Sequence, residues 1–261
     1  MSFGAKKTFG QHFLTDTRVV KRMVEAAHIQ KGERVVEIGP GKGILTRELV
    51  AAQAHVTAIE LDRDMVFFLK ETFGQSISLI EADALSVPLP PQPYKVVANI
   101  PYNITSPLLS RYLAAENKPS RLILLLQKEV VDRLTAKPPS MSLLSVMCQL
   151  YAHCERLFSV SAESFSPKPR VDSAVIQLDT HMLVNNPERI IFLAKIGFSS
   201  RRKQLQKNLT SCGRWNPEQI AQSMTQLKYP LGMRAQNMTV EDWIHLASLL
   251  YNSELCGTTG M

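Results

Sequence analysis

Five short apolar runs follow one another through the first half of the chain: RVVEI (34–38), HVTAIE (55–60), ISLIEAD (77–83), YKVVAN (94–99) and RLILLLQ (121–127). Helical or loop stretches separate them, and ILTRELVAAQ (44–53) and RDMVFFLKETF (63–73) carry apolar residues at helical spacing. Strands with so little alternation must be covered on both faces. Helices between successive strands supply that cover, which predicts an α/β fold with a mostly parallel sheet wrapped by helices. Residues 151–160 and 171–178 read as a final pair of strands flanking FSPKPRVDS (165–173). After THMLVNNPER (180–189) strand-like runs cease and the remainder reads as helices with short connections. The expected division is therefore a domain over 1–183 and an all-helical domain over 184–261.

A chain of 261 residues is long enough for one substantial core and a smaller lobe, and its 45% hydrophobic content excludes a disordered or collagen-like polymer. Its first residues, MSFGAKKTFGQHFL, lack the apolar core of a secretory signal, and nowhere are about eighteen apolar residues contiguous. A cytoplasmic protein without a membrane partner is expected. Cys148, Cys154, Cys212 and Cys256 show no C-x-x-C spacing and the six histidines are scattered, so no metal site is expected. The net charge of +7 points toward a polyanionic partner. Positive charge gathers at Lys6 and Lys7, and again in SSRRKQLQKNL (199–209), where Arg201, Arg202, Lys203 and Lys207 fall within two helical turns.

The ends of the runs carry the chemistry. VVEIGPGKGILT sets Gly39, Gly41 and Gly43 at the junction of the first strand and first helix, where backbone has to pass close to a ligand. The spacing G-x-G-x-G is neither that of a dinucleotide binder nor that of a P-loop. The next run ends in Glu60, roughly twenty residues beyond Gly39, as expected of an acid that accepts hydrogen bonds from a ribose diol. The third ends near Asp83, which suits either an adenine amino group or a helix N-cap. Together these tips describe a nucleoside site at the carboxyl edge of a sheet. NIPYNITSP (99–107) is the next station. Asn99 ends its strand, and Pro101 holds Ile100 away from helical geometry. An exocyclic amine is a poor nucleophile because its lone pair is delocalised into the ring. The Asn99 side-chain carbonyl with one backbone carbonyl would favour the pyramidal amine, and Tyr102 would stack on the base.

KKTFGQHFL, EIGPGKG, IELD, EADAL, NIPYNI, LLLQKEVVDRL and FSPKPRVDSAV occur in this order and cover nearly the whole chain. The chain resembles the small-subunit ribosomal RNA adenine dimethyltransferase (KsgA-type) family. The resemblance implies a class I S-adenosylmethionine-dependent methyltransferase fold, Rossmann-like, with a final antiparallel strand and a helical C-terminal domain. It implies N6,N6-dimethylation of two adjacent adenosines near the 3′ end of small-subunit ribosomal RNA within an assembling 30S-type particle, by a monomer. Carried over by position, it assigns His12, Leu14, Gly39, Gly41, Glu60, Asp83 and Asn99 to S-adenosylmethionine. It sets Asn99, Pro101 and Tyr102 around the target amine and Phe165 on the far face of the flipped base, in a loop held by Pro167, Pro169, Val171 and Ser173. RNA contact falls to Lys6, Lys7, Lys168, Arg170, Arg201, Arg202, Lys203 and Lys207.

Two positions depart from the family pattern. His12 stands where the family usually has Asn, and Met141-Ser142 stand where it commonly has Tyr-Gly. The implied reaction is direct in-line methyl transfer, repeated for each methyl, with neither metal nor covalent enzyme intermediate. Two other readings share the strand-end motifs: a large-subunit adenine methylase of the antibiotic-resistance type, and a non-catalytic assembly factor on the same fold.

Overall fold

The computed structural model describes residues 12–91, 93–101, 104–230 and 232–251, so Lys6, Lys7 and Tyr102 lie outside the described residues. The chain packs as two compact units, one of Met1–Asp132 with His153–His181, the other of Arg133–Ala152 with Met182–Met261.

The first unit is built on strands β1 (Phe13–Leu14), β2 (Arg34–Ile38), β3 (His55–Glu60), β4 (Ser78–Glu81), β5 (Lys95–Asn99), β6 (Arg121–Gln127), β7 (Ala152–Val160), β8 (Phe165–Ser166) and β9 (Ser173–Thr180). Seven of them form one sheet in the order β4-β3-β2-β5-β6-β9-β7. The pairs from β4 through β6 are parallel. β9, last in the chain, lies between β6 and β7 and runs antiparallel to β6, from Arg121↔Asp179 to Gln127↔Ser173. Val35, Val96, Val97, Ala98 and Leu122 to Leu126 are buried on both sides of the sheet, which is why their runs do not alternate.

Helices α1 (Thr17–Ala27), α2 (Ile44–Ala51), α3 (Arg63–Phe73) and α4 (Thr105–Ala114) belong to this unit. α1 starts where the Asp16 carboxylate accepts the Arg18 N–H, and it buries Val19, Val20, Met23 and Ala27. Asp62 caps α3 in the same way, accepting from the Asp64 N–H.

The second unit departs from the expected division at residue 183, because residues 133–152 pack with the C-terminal helices. After α5 (Lys128–Leu134), which straddles the junction, comes α6 (Leu143–Tyr151), followed by α7 (Pro187–Gly197), α8 (Leu205–Ser211), α9 (Pro217–Gln226) and α10 (Val240–Leu250). Met141, Val146 and Leu150 share one core with Leu193, Leu209, Met224, Trp243 and Leu246. The departure at Met141-Ser142 has a structural use. Met141 enters that core, and Ser142 caps α6 through a reciprocal pair of bonds with Ser145.

The basic cluster at 201–207 is not one helical face. Arg201, Arg202 and Lys203 occupy an exposed turn between α7 and α8, and of the four only Lys207 is helical. The cause is Asn208, 2% exposed, whose Nδ2 donates to the carbonyls of Gly197 at 2.6 Å and Ser200 at 3.0 Å. That side chain ties the last carbonyl of α7 to one in the turn that follows and so holds the turn.

Among the described residues no helix is long and apolar enough to cross a membrane, and no group of three His, Cys, Asp or Glu side chains is placed to hold a metal ion.

Candidate active site

The carboxyl ends of β2, β3 and β5, with the turn after β4, open onto a cavity of about 310 Å³. Gly39 and Gly41 line one wall, and with Gly43 behind them they have φ of 65°, 53° and 71°, a region that side-chain-bearing residues rarely enter. A Cβ on Gly41 would stand 3.0 Å from the Phe13 ring, and one on Gly39 would meet Pro101 at 3.7 Å and the Asn99 carbonyl at 3.8 Å. The glycine loop and the Asn99 corner are therefore neighbours.

Glu60, 7% exposed, ends β3 against this loop. Its Oε2 accepts the Gly41 N–H at 3.1 Å, and its Oε1 accepts those of Leu61 and Asp62, both at 2.9 Å. Two carboxylate oxygens offer about four acceptor positions, so one on Oε2 stays open toward the cavity. Burial raises the Glu60 pKa, and the three N–H groups oppose the shift by favouring the charged form.

Asp83 lies in the turn after β4. Its Oδ1 accepts the Leu85 N–H at 2.9 Å, while Oδ2 makes no bond among the described residues. No helix follows, which removes the N-cap alternative; the bond closes an Asx turn that aims the carboxylate at the cavity.

Glu37, which the sequence reading passes over, also lines the cavity. It lies within β2, is 1% exposed, and its Oε2 has no hydrogen-bond partner among the described residues. Burial pushes its carboxyl up to about 8, assisted by the nearby charge of Glu60. The Thr46 hydroxyl and amide act in the opposite direction, yet Thr46 Oγ1 closes no bond of ordinary geometry. A buried acceptor aimed into a cavity is left for a ligand to satisfy.

A strap roofs the site. β1 pairs with β8, with Phe13 opposite Ser166 and Leu14 opposite Phe165, and Thr15 donates its N–H to the Ser164 carbonyl at 2.8 Å. His12 extends this clasp, its Nδ1 hydrogen-bonding the Pro167 carbonyl at 2.7 Å, which puts the proton on that nitrogen. The Asn99 Nδ2 donates to the His12 carbonyl at 3.5 Å. Turned the other way, Asn99 Oδ1 would face that carbonyl, so the strap fixes which end of the amide is presented. Oδ1 then has no partner among the described residues.

The structure thus gathers His12, Leu14, Gly39, Gly41, Glu60, Asp83, Asn99, Pro101 and Phe165 around one cavity. Phe165 lines it while being only 5% exposed and packed in the core of the first unit. Lys168 and Arg170 are exposed on the loop beyond, where Lys168 is ion-paired with Glu163.

A sequence profile described as ribosomal RNA adenine dimethylase matches residues 2–252. The chain belongs to that family. A relative named ribosomal RNA small subunit methyltransferase A from Acaryochloris marina is 41% identical over 96% of this chain and 98% of its own length. Its namesake in Thermosynechococcus vestitus is 43% identical over 94% of this chain and 97% of its own length. Among solved structures, a dimethyladenosine transferase from Plasmodium falciparum superposes with a TM-score of 0.79 at 25% identity, covering 90% of this chain and 96% of that one. The 23S rRNA methyltransferase ErmE gives 0.77 at 28%, covering 92% and 100%. The cofactor of the family fold is S-adenosylmethionine, and the cavity suits it: a glycine loop at positive φ, tight against Phe13 at Gly41, an open acceptor on Glu60, another on Asp83 and, in Glu37, a buried acid whose Oε2 has no partner among the described residues.

Proposed function

We propose that this member of the family transfers methyl groups from S-adenosylmethionine to N6 of two adjacent adenosines near the 3′ end of small-subunit ribosomal RNA. The observation that carries the reading is the approach of Gly39 to Asn99 and Pro101, with Asn99 Oδ1, which has no partner among the described residues, on the shared cavity.

When bound, S-adenosylmethionine supplies a methyl carbon made electrophilic by its sulfonium. Glu60 Oε2 would accept from the ribose diol, Asp83 Oδ2 from the adenine amino group, and Glu37 would take the ammonium end. Asn99 Oδ1 accepts one N–H of the target amine and the Ile100 carbonyl, unpaired among the described residues, accepts the other. Held this way, the amine lone pair leaves conjugation with the purine ring and becomes nucleophilic. Phe165 forms one wall for the flipped base, opposite the position expected of Tyr102. The residues contribute orientation and water exclusion, and the methylated amine releases its proton to solvent without a dedicated base.

RNA contact is assigned to Lys6 and Lys7, to Lys168 and Arg170 on the loop after Phe165, and to Arg201, Arg202, Lys203 and Lys207 on the helical unit. A catalytic unit with a separate helical RNA-contacting unit, acting as a cytoplasmic monomer on an assembling small subunit, fits this division of labour. Large-subunit methylation is the second reading, favoured by the likeness to ErmE, although the small-subunit relatives are more similar in sequence. Mass spectrometry of ribosomal RNA from cells with and without the protein decides between them. A dimethyladenosine pair in the small-subunit RNA disappears on deletion and returns on complementation; a pair that persists, or a mark lost from the large subunit instead, overturns the proposal.

A further inference from the structure

On the helical unit two arginines and three aromatic rings meet in a cluster that methyl transfer does not use. The Arg214 guanidinium lies 5.2 Å from the ring centre of Phe192, 5.7 Å from Trp215 and 5.2 Å from Tyr251. Arg189 approaches the same Tyr251 ring at 5.5 Å. The floor is rigid: Trp215 is buried, donates Nε1–H to the Leu250 carbonyl at 3.2 Å, and meets Tyr251 edge to face at 5.5 Å.

Two features go beyond what packing requires. Two guanidinium cations converge on one tyrosine, and neither has an ion-pair partner among the described residues. The ring attracts each of them, and together they offer positive charge to an anion. Phe192, one turn along α7 from Arg189, is 42% exposed beside this charge. An apolar ring flanked by cations that have no ion-pair partner among the described residues offers a stacking face with a phosphate site next to it, the combination that binds unpaired nucleotides. A protein partner supplying carboxylates to the arginines would also cover the ring, and ultraviolet cross-linking separates the two.

We propose that Arg189, Phe192 and Arg214 form a nucleotide platform, with the two guanidinium groups taking a phosphodiester and Phe192 stacking on an unpaired base of the RNA. The proposal rests on ribosomal RNA being the substrate. α7 has 11 residues, and at about 1.5 Å per residue it is short enough for one single-stranded stretch to reach from this platform to the Arg201–Lys203 turn beyond its far end.

The test uses the full chain and small subunits from cells lacking the dimethylation. Phe192→Leu keeps an apolar side chain without the aromatic face, and Arg189→Gln removes one cation. Phe192→Leu weakens subunit binding by about fivefold or more. Arg189→Gln lowers the slope of log affinity against log salt by about 1. Both retain the wild-type melting temperature within a few degrees and the wild-type affinity for S-adenosylmethionine. Ultraviolet cross-linking of the unaltered protein places RNA on the peptide that contains Phe192, a readout that stands even if a variant fails to fold. Wild-type affinity and salt slope in both variants, or a cross-link from that peptide to a ribosomal protein, overturns the platform. Failure of the unaltered protein to methylate subunits at all is a different result, which sinks the functional reading first.

Discussion

Asn99→Ala separates cofactor binding from chemistry. In the structure the Asn99 side chain makes one hydrogen bond among the described residues, at 3.5 Å to the His12 carbonyl, near the limit of a useful contact. Losing it costs at most about 1 kcal/mol of strap stability, a decrease of about fivefold in donor affinity. The opposite end of the amide, Oδ1, has no partner among the described residues and is left to accept from the target amine when it arrives. Removing an acceptor that acts as charge develops costs about 10²- to 10³-fold in turnover, or roughly 3–4 kcal/mol of barrier. The two effects therefore differ by more than tenfold. Calorimetric titration with S-adenosylmethionine gives the first number, and single-turnover methyl incorporation into undimethylated small subunits gives the second. If donor affinity falls as far as turnover does, Asn99 is chiefly a cofactor ligand and the two-acceptor account of the corner is wrong. If turnover falls less than fivefold, the corner does not activate the amine.

Glu37→Gln tests the buried acid. With its folded pKa at about 8, above the ordinary 4.5, the folded protein holds a proton that the unfolded chain has released, so wild-type stability falls as pH rises between those values. Relative to the Gln variant, the cofactor-free wild type should lose about 1.4 kcal/mol per pH unit through pH 5–8 and then level off; a constant gap in urea titrations across that range would show that Glu37 ionises freely. Gly41→Ala places a Cβ 3.0 Å from Phe13 at a φ of 53°, lifting the strap, and should weaken S-adenosylmethionine binding about tenfold; unchanged affinity would mean that the strap does not seal the cofactor cavity. Gly197→Ala should destabilise the protein by about 1–2 kcal/mol despite the better helix propensity of Ala, because its Cβ would lie 2.4 Å from the buried Trp243 ring and 3.0 Å from Leu205. A higher melting temperature in calorimetry would contradict that packing.

What the sequence discloses and what it conceals follow from the range of the interactions involved. Gly39, Glu60, Asp83 and Asn99 are legible because each stands where an apolar run stops, and a parallel sheet brings such stops to one edge. Glu37 was open to the same logic: a run that is apolar on both faces leaves no solvent side for a carboxylate, so an acid within it has to be buried. It escapes notice because Val-Glu-Ile also reads as ordinary alternation, and only the cover on both faces of β2 distinguishes the two. The strap has no such local signature, since Phe13–Leu14 pairs with Phe165–Ser166 across some hundred and fifty residues, and neither segment states its partner. Residues 133–152 mislead for a related reason: the apolar positions of α6 require a core without specifying which, and its junction with β7 carries no glycine or proline to mark a change of unit. The basic turn fails in the other direction. Arg201, Arg202 and Lys203 hold no period at all, and their conformation is set by a buried asparagine five residues beyond Lys203 that binds the carbonyl at the end of the preceding helix and one in the turn itself. Charge could be counted from the sequence, but the surface on which it is displayed depends on that one amide, so Asn208, rather than any arginine, sets the shape of the turn.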